Sequence, residues 1–128
     1  MSFARVRNAA GAVVCERCEV PKSSFARARG LLGRSGLEPG GGMLIDAAPS
    51  VHMFFMRFPI DVVFLDRDLK VVRVVHGLRP WRVAGARRAV AALERPAGAA
   101  AAAGIEEGDV LSLEEPAAGG NGRDSFNL

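Results

Sequence analysis

The sequence predicts a single, mainly β domain with short helices. Its 128 residues are near the common size of one domain, and a hydrophobic fraction of 49% is enough for one core. Short runs rich in Val, Ile and Phe recur along the chain between Gly, Pro, Asn and Asp, as strands do between turns. Only two segments carry helix signals. We place the domain at residues 1–116 and expect residues 117–128 to form a disordered tail, because they show no apolar periodicity.

The N-terminal part is expected to contain a hairpin, a helix and a short strand. Two β-compatible runs flank residues 8–11 (NAAG), where Asn and Gly favour a turn. Behind a serine N-cap, apolar residues in 25–32 recur with helical spacing, and Gly33 is expected to end the helix. Gly30 lies inside this pattern, so either the helix is short or something packs against the bare Cα. After a glycine-rich loop, residues 43–45 predict a strand.

The most hydrophobic stretch is residues 51–66 (VHMFFMRFPIDVVFLD). Pro59 divides it into two expected strands, because proline cannot donate to a central ladder. Both faces of the first strand are largely apolar, so we expect it to lie between layers. The second strand pairs with VVRVVHG across residues 67–70 as a hairpin. In this register, Asp61 lies opposite His76 or its neighbour.

The C-terminal part is expected to add a loop, two strands and a short helix. Residues 79–88 (RPWRVAGARR) predict a loop, and AVAALERP predicts a strand. The alanine run predicts a helix that ends at Gly104, with Ile105 supplying the hydrophobic contact that often follows such an end. VLSLEE predicts the last strand.

Several motifs resemble those of the bacterial and archaeal family known as domain of unknown function 192. They are, in order, ARGLLGR, GGGMLI, HMFFMRFPIDVVFLD, LRPWR and the ending GIEEGDVL, within about residues 24–114. The resemblance implies a β-sandwich or a jelly-roll-like barrel with short helices. It implies no established biochemical activity.

Charge and hydropathy argue against two classes of partner. No segment approaches the roughly 18 uninterrupted apolar residues of a membrane span, and no secretory signal is visible, so we expect a cytoplasmic protein without membrane contact. Residues 70–95 hold seven Lys or Arg, whereas residues 96–128 hold six carboxylates. The basic residues are scattered, with Trp81 as the only aromatic among them, which indicates a solvated surface. We therefore expect no nucleic-acid partner. We also expect a monomer or a weak homodimer.

The cysteine pair CERC and the two histidines do not make a convincing metal site. Cys15 and Cys18 supply two of the four ligands that zinc requires, and no second pair exists. Residues three apart on a strand point to opposite faces, which favours two unrelated thiols over a redox pair. Methionines near His52 and His76 could suit Cu(I), but methionines in Phe-rich strands are usually core residues. We expect no metal and no cofactor.

The candidate ligand-binding residues are Arg57, Asp61, His76, Trp81 and Arg82. A carboxylate in an apolar strand needs partners, so a structural interpretation has Arg57 and Asp61 neutralise each other or cap loops. In the functional interpretation, they edge a pocket together with Trp81 and Arg82. A Trp face beside guanidinium groups suits a sugar or an anionic small molecule.

These residues favour a non-catalytic small-molecule binding or accessory module. The alternative is an unrecognised hydrolase-type enzyme that uses Asp61 with His52 or His76. No serine lies in a G-x-S-x-G elbow, and two histidines with several Asp residues carry no spacing information. The interpretation therefore leans away from an enzyme and assigns no catalytic residue.

Overall fold

The structure is a computed structural model that describes residues 2–115, with only the backbone at positions 24, 25 and 28. The tail expected at residues 117–128 lies outside the described residues. Within residues 2–115 neither helix is long and apolar enough to cross a membrane.

Nine strands and two short helices make up the described part of the chain. In chain order they are β1 (Ser2–Arg7), β2 (Val13–Val20), α1 (Ser24–Arg29), β3 (Gly41–Asp46), β4 (Ser50–His52), β5 (Ile60–Leu65), β6 (Val71–Leu78), β7 (Val83–Gly85), β8 (Ala91–Pro96), α2 (Ala99–Ala102) and β9 (Ser112–Glu114).

Seven strands form one mixed sheet in the order β6-β5-β8-β3-β2-β1-β9, and β4 pairs with β7 in a second, two-stranded sheet. The prediction of a mainly β fold is confirmed. A closed, jelly-roll-like barrel is not formed by the described residues. Two features explain this. Strands β2 and β3 run parallel, unlike the antiparallel strands of a jelly roll. The edge strands β6 and β9 form no ladder with each other; the chain segments beside them are joined by an isolated bridge between Lys70 and Val110 and by a few backbone hydrogen bonds.

Strand β5 lies between β6 and β8 and is buried on both faces of the large sheet. Successive side chains of a strand point to opposite faces, so Val63 and Leu65 enter one buried cluster while Val62 and Phe64 enter another. The first cluster includes Ala100 of α2. The second includes residues of both strands of the small sheet. The candidate site described below lies on the side of this second cluster.

The apolar stretch at residues 51–58 is not the continuous strand that the alternation predicts. Strand β4 ends at His52, and the chain then turns, which leaves Phe54 and Phe55 exposed. The turn is held by two backbone hydrogen bonds of 2.7 Å: the Met53 N–H donates to the Arg82 carbonyl, and the Trp81 N–H donates to the Met53 carbonyl. Pairing with the segment around β7 therefore decides this conformation, and the hydrophobic pattern alone does not reveal it.

Helix α1 is shorter than predicted. Its N-cap Ser23 accepts a hydrogen bond of 3.0 Å from the Ala26 N–H, as expected for a serine cap. The helix ends at Gly30, whose φ of 50° is favourable for glycine, and not at Gly33. The alanine helix α2 ends as predicted, since Gly104 has a φ of 68° and the Ile105 N–H donates to the Ala100 carbonyl.

The expectation that Cys15 and Cys18 point to opposite faces of their strand is wrong. Strand β2 pairs Cys18 with Ala4 and Cys15 with Val6, so three steps along β2 match two steps along β1. This extra residue is a β-bulge, which restores both thiols to the same face. Both cysteines are buried in the first core cluster.

Candidate functional site

A cavity of about 370 Å³ lies beside the end of α1, between β3, β4 and the turn that follows β4. Its walls are polar and apolar in nearly equal measure, and the apolar residues include Leu31, Ile45, Val51, Met53, Met56 and Ile60. A small set of polar side chains also borders it, namely Arg27, Arg29, Asp46, Ser50, His52 and Glu94. Small-molecule sites combine apolar walls with polar groups, and this volume lies toward the lower end of their common range.

Glu94 is the buried polar group of this cavity. It lies on β8 between Met43 of β3 and Val62 of β5, in the middle of the large sheet. The residue is only 5% exposed, and its carboxyl has no hydrogen-bond or ion-pair partner among the described residues. Burial raises the pKa of the Glu94 carboxyl to about 7.

An unpartnered carboxyl in a cavity has a clear chemical consequence. Below about pH 7 it is mainly protonated and can donate one hydrogen bond, whereas above that pH it is an acceptor only. In either state no hydrogen-bond partner for it is present among the described residues. A ligand with hydroxyl or amine groups could supply one. Within residues 2–115 no cluster of three or more His, Cys, Asp or Glu side chains could hold a metal ion.

Four ring side chains, His52, Phe54, Phe55 and Trp81, form what we call the aromatic rim. The ring centroids of His52 and Phe54 are 5.1 Å apart, those of Phe54 and Trp81 6.1 Å, and those of Phe55 and Trp81 4.8 Å. Phe55 is 72% exposed and Trp81 is 58% exposed. His52 belongs to both the rim and the cavity wall, so the two features are continuous.

The rim is built at a local conformational cost. Phe55 and Trp81 have φ values of 65° and 70°, in the left-handed region that bulky residues rarely occupy. Such conformations persist where surrounding structure imposes them, often at binding sites. Here the backbone hydrogen bonds between the Met53 and Trp81 segments hold the turns in place. Two exposed aromatic side chains in strained positions indicate a surface shaped for contact with a ligand or partner.

Asp61 lies on β5 and does not border the cavity, whereas the functional interpretation placed it at the edge of a pocket. It is fully buried and accepts three backbone hydrogen bonds, from the N–H groups of Gly77 (2.8 Å), Gly98 (3.0 Å) and Ala100 (2.9 Å). It therefore ties the β5–β6 hairpin to the start of α2. These contacts agree with the interpretation in which Asp61 caps loops.

His76 lies close to its predicted position in the ladder. The register shifts between the pairs Ile60–Leu78 and Val62–Val75, so His76 and Gly77 together face Asp61 at a bulge. The Gly77 N–H, and not the imidazole, bonds the carboxylate, and the His76 side chain is exposed.

The other predicted site residues lie at the surface. Arg57 is exposed and makes no ion pair with Asp61 among the described contacts. Trp81 and Arg82 are exposed beside Met53, with Trp81 in the aromatic rim. The structure thus connects Trp81 with His52 and does not bring Asp61 into the cavity wall.

Sequence reasoning missed Glu94, Phe54 and Phe55 as site residues. A signal for Glu94 was present, because it is a single carboxylate inside the apolar run AVAALERP, just as Asp61 is in its own strand. No comparable signal existed for the two phenylalanines, since an exposed and a buried phenylalanine have the same place in a hydrophobic pattern.

Comparison with known proteins identifies the family. The family model DUF192, described as an uncharacterized ACR, matches residues 5–113. The chain belongs to the DUF192 family. The UPF0127 protein of Pyrococcus abyssi (strain GE5 / Orsay) is 41% identical over 61 residues, which are 47% of this chain and 51% of that relative. This DUF192 chain therefore matches about half the length of the curated relative.

Two solved structures share the fold of this DUF192 protein. A proposed transcription regulator of Sinorhizobium meliloti 1021 superposes with a TM-score of 0.75 at 24% identity, over 88% of this chain and 96% of the other. A protein of unknown function from Novosphingobium aromaticivorans DSM 12444 superposes with a TM-score of 0.72 at 27% identity, over 85% of this chain and 82% of the other. The first likeness is a likeness of fold alone.

Proposed function

We propose that this DUF192 protein is a non-catalytic binding module for a neutral, polyhydroxylated ligand of the sugar class. The observation that carries the proposal is the buried Glu94 carboxyl, which borders the cavity and has no partner among the described residues. A sugar hydroxyl bonds a carboxyl in either protonation state, since it can both donate and accept.

The chemistry of the cavity favours a neutral ligand over an anionic one. An anionic group next to Glu94 would meet either a like charge or a carboxyl that must stay protonated, and both restrict binding at neutral pH. Arg27 and Arg29 border the cavity and could attract an anion to its edge. The apolar walls formed by Met53, Met56 and Ile60 suit the C–H face of a sugar ring.

The aromatic rim supports the same ligand class. Exposed aromatic rings offer flat apolar faces on which a second sugar ring can lie, with polar groups left in water. Because His52 borders both features, one sugar could occupy the cavity while the next contacts Phe54 and Trp81. This assigns Trp81 a ligand-binding role without a pocket around Asp61.

Thermal-shift measurements with panels of neutral sugars, carboxylates, amines and nucleotides test the proposal, because a ligand that binds the native state raises Tm. Glu94→Gln and His52→Gln alter the cavity. Glu106→Gln and His76→Gln are matched controls, since both residues are exposed and neither borders the cavity. We expect a neutral sugar to raise the Tm of the wild type and of both controls, and to have a weaker effect on the two cavity variants.

A different pattern would contradict the proposal. If only anions raise Tm, and do so equally in Glu94→Gln, both the ligand class and the site are wrong. If a neutral sugar stabilises all four variants equally, the ligand class survives but the cavity is not where it binds.

The hydrolase-type alternative gains little from Asp61, whose carboxylate already accepts three backbone hydrogen bonds. One observation favours acid–base chemistry elsewhere: a carboxyl with a pKa of about 7 suits a general acid or base, and His52 borders the same cavity. Incubation of each stabilising glycoside with the protein, followed by mass spectrometry of the glycoside, decides between a binding module and an enzyme. Turnover that Glu94→Gln abolishes would replace the non-catalytic proposal with an enzyme.

A further inference from the structure

The bulge in β2 makes the CERC segment a dithiol. Cys15 and Cys18 enter the same buried cluster, while Glu16 and Arg17 between them point outward and are exposed. Both thiols are free. The Cys15 thiol donates to the Gly40 carbonyl and the Cys18 thiol to the Glu19 carbonyl. Interaction between the two thiols is the main reason that the pKa of Cys15 is lowered and that of Cys18 is raised. Two cysteines at this sequence spacing meet here only because the bulge changes the direction of one of them.

The two thiols differ in their access to solvent. Cys15 is 1% exposed and borders a shallow surface cavity of about 430 Å³, next to Pro39, Gly40 and Arg95. Cys18 is fully buried and does not border this cavity. Only Cys15 can therefore meet a small reagent first, and Cys18 lies behind it.

Arg95 gives this cavity an unusual electrostatic character. Its side chain is buried, and its guanidinium donates hydrogen bonds to the backbone carbonyls of Gly41 and Pro39. Its Nε has no hydrogen-bond partner among the described residues. No carboxylate pairs with this guanidinium in the described part of the chain, so its charge is available to stabilise a thiolate at Cys15.

We propose that Cys15 and Cys18 form a reversible intramolecular disulfide in response to a small hydroperoxide. The Cys15 thiolate attacks one peroxide oxygen, the O–O bond breaks, and Cys15 becomes a sulfenic acid while hydroxide or alkoxide leaves and takes a proton. The Cys18 sulfur then attacks the Cys15 sulfur, releasing water and forming the S–S bond. Overall, two thiols are oxidised by two electrons and the hydroperoxide is reduced to water plus an alcohol or a second water.

The burial of Cys15 is the reason for choosing a hydroperoxide. A disulfide reagent must align three sulfur atoms at the attacked site, which a thiol of 1% exposure does not easily allow. A hydroperoxide needs room for two oxygen atoms only. The dithiol lies on the face of the sheet opposite to Glu94, so this proposal stands apart from ligand binding at the other cavity.

Reaction of the full, reduced protein with hydrogen peroxide tests the proposal. We expect the intact mass to fall by about 2 Da and dithiothreitol to restore it, because disulfide formation removes two hydrogens. Cys18→Ala should instead gain about 16 Da as a trapped sulfenic acid, while Cys15→Ala should stay unmodified under the same conditions. Arg95→Met, which keeps the length of the side chain without its charge, should slow the reaction about tenfold.

Several results would overturn the proposal. They are no mass change in the wild type, stable oxygen addition without loss of 2 Da, a disulfide-linked dimer on a non-reducing gel, or equal reactivity of the two cysteine variants. Oxidation by glutathione disulfide but not by hydrogen peroxide would overturn the assigned oxidant. Because the wild-type mass change needs no variant, the test remains decisive even if a substituted protein does not fold.

Discussion

Replacing Glu94 by Gln should change how the stability of the protein depends on pH. The folded carboxyl has a pKa of about 7, against an ordinary value of 4.5. Between these values the folded state keeps the proton that the unfolded state has released, so stability falls as pH rises through this interval. Below pH 4.5 the carboxyl is protonated in both states. Above about pH 7 it is ionised in both states, so the loss of stability is complete.

The magnitude follows from the width of that interval. At about 1.4 kcal/mol per pH unit, ionising Glu94 costs the native state about 3 kcal/mol between pH 4.5 and pH 8. Glutamine keeps the shape and cannot ionise, so the wild type should lose about 3 kcal/mol relative to Glu94→Gln over this range. Other titrating groups are common to both proteins and cancel in the difference.

Urea unfolding, followed by far-ultraviolet circular dichroism at pH 5, 6, 7 and 8, measures this difference. Glu106→Gln replaces an exposed glutamate, so its free energy of unfolding should differ from that of the wild type by a nearly constant amount at all four pH values. If the free-energy difference between the wild type and Glu94→Gln varies by less than about 0.5 kcal/mol over these pH values, Glu94 is not held in an apolar environment and the argument for the cavity fails.

Two further substitutions test the packing around the site. Asp61→Asn should lower the free energy of unfolding by about 2–3 kcal/mol, because one amide oxygen cannot replace a carboxylate that accepts three backbone hydrogen bonds. The control is Asp68→Asn at an exposed position, which should change the free energy of unfolding by less than about 0.5 kcal/mol in the same urea experiment. Gly42→Ala should cost about 1–3 kcal/mol, since an added Cβ would lie 2.7 Å from the backbone oxygen of Glu94. Gly36→Ala, with nothing within 4 Å, is its control, and equal stabilities would refute the packing argument.

The hairpins and the end of α2 could be predicted, because the sequence signals that determine them lie close together along the chain. The β5–β6 hairpin forms across residues 67–70, and the first hairpin turns at residues 8–11, where Asn8 accepts hydrogen bonds from the N–H groups of Ala10 and Ala12. The end of α2 at Gly104 also depends on neighbours in sequence. In each of these places, local chemistry and tertiary structure agree.

The features that sequence reasoning missed depend on distant pairing. The turn after β4 is fixed by hydrogen bonds to the Trp81 segment, and the bulge in β2 is defined only by its pairing with β1. Glu94 becomes a cavity residue because β8 lies between β3 and β5, which the chain order does not indicate. Period-two alternation identifies which residues share a face of a strand, but not which faces are covered.

The most direct test of ligand binding in the cavity uses the methionine methyl groups. The chain has four methionines, of which Met53 and Met56 border the cavity, whereas Met43 is buried in the same cluster without bordering it. Spectra of protein labelled with ¹³C at the methionine methyl groups would be recorded while the most stabilising neutral sugar is added. Methionine-to-leucine variants assign each signal.

We expect the Met53 and Met56 methyl signals to shift together, more than that of Met43, and to respond less in Glu94→Gln. Unchanged Met53 and Met56 signals at a sugar concentration that raises Tm would contradict the account, because the ligand would then bind outside the Glu94 cavity.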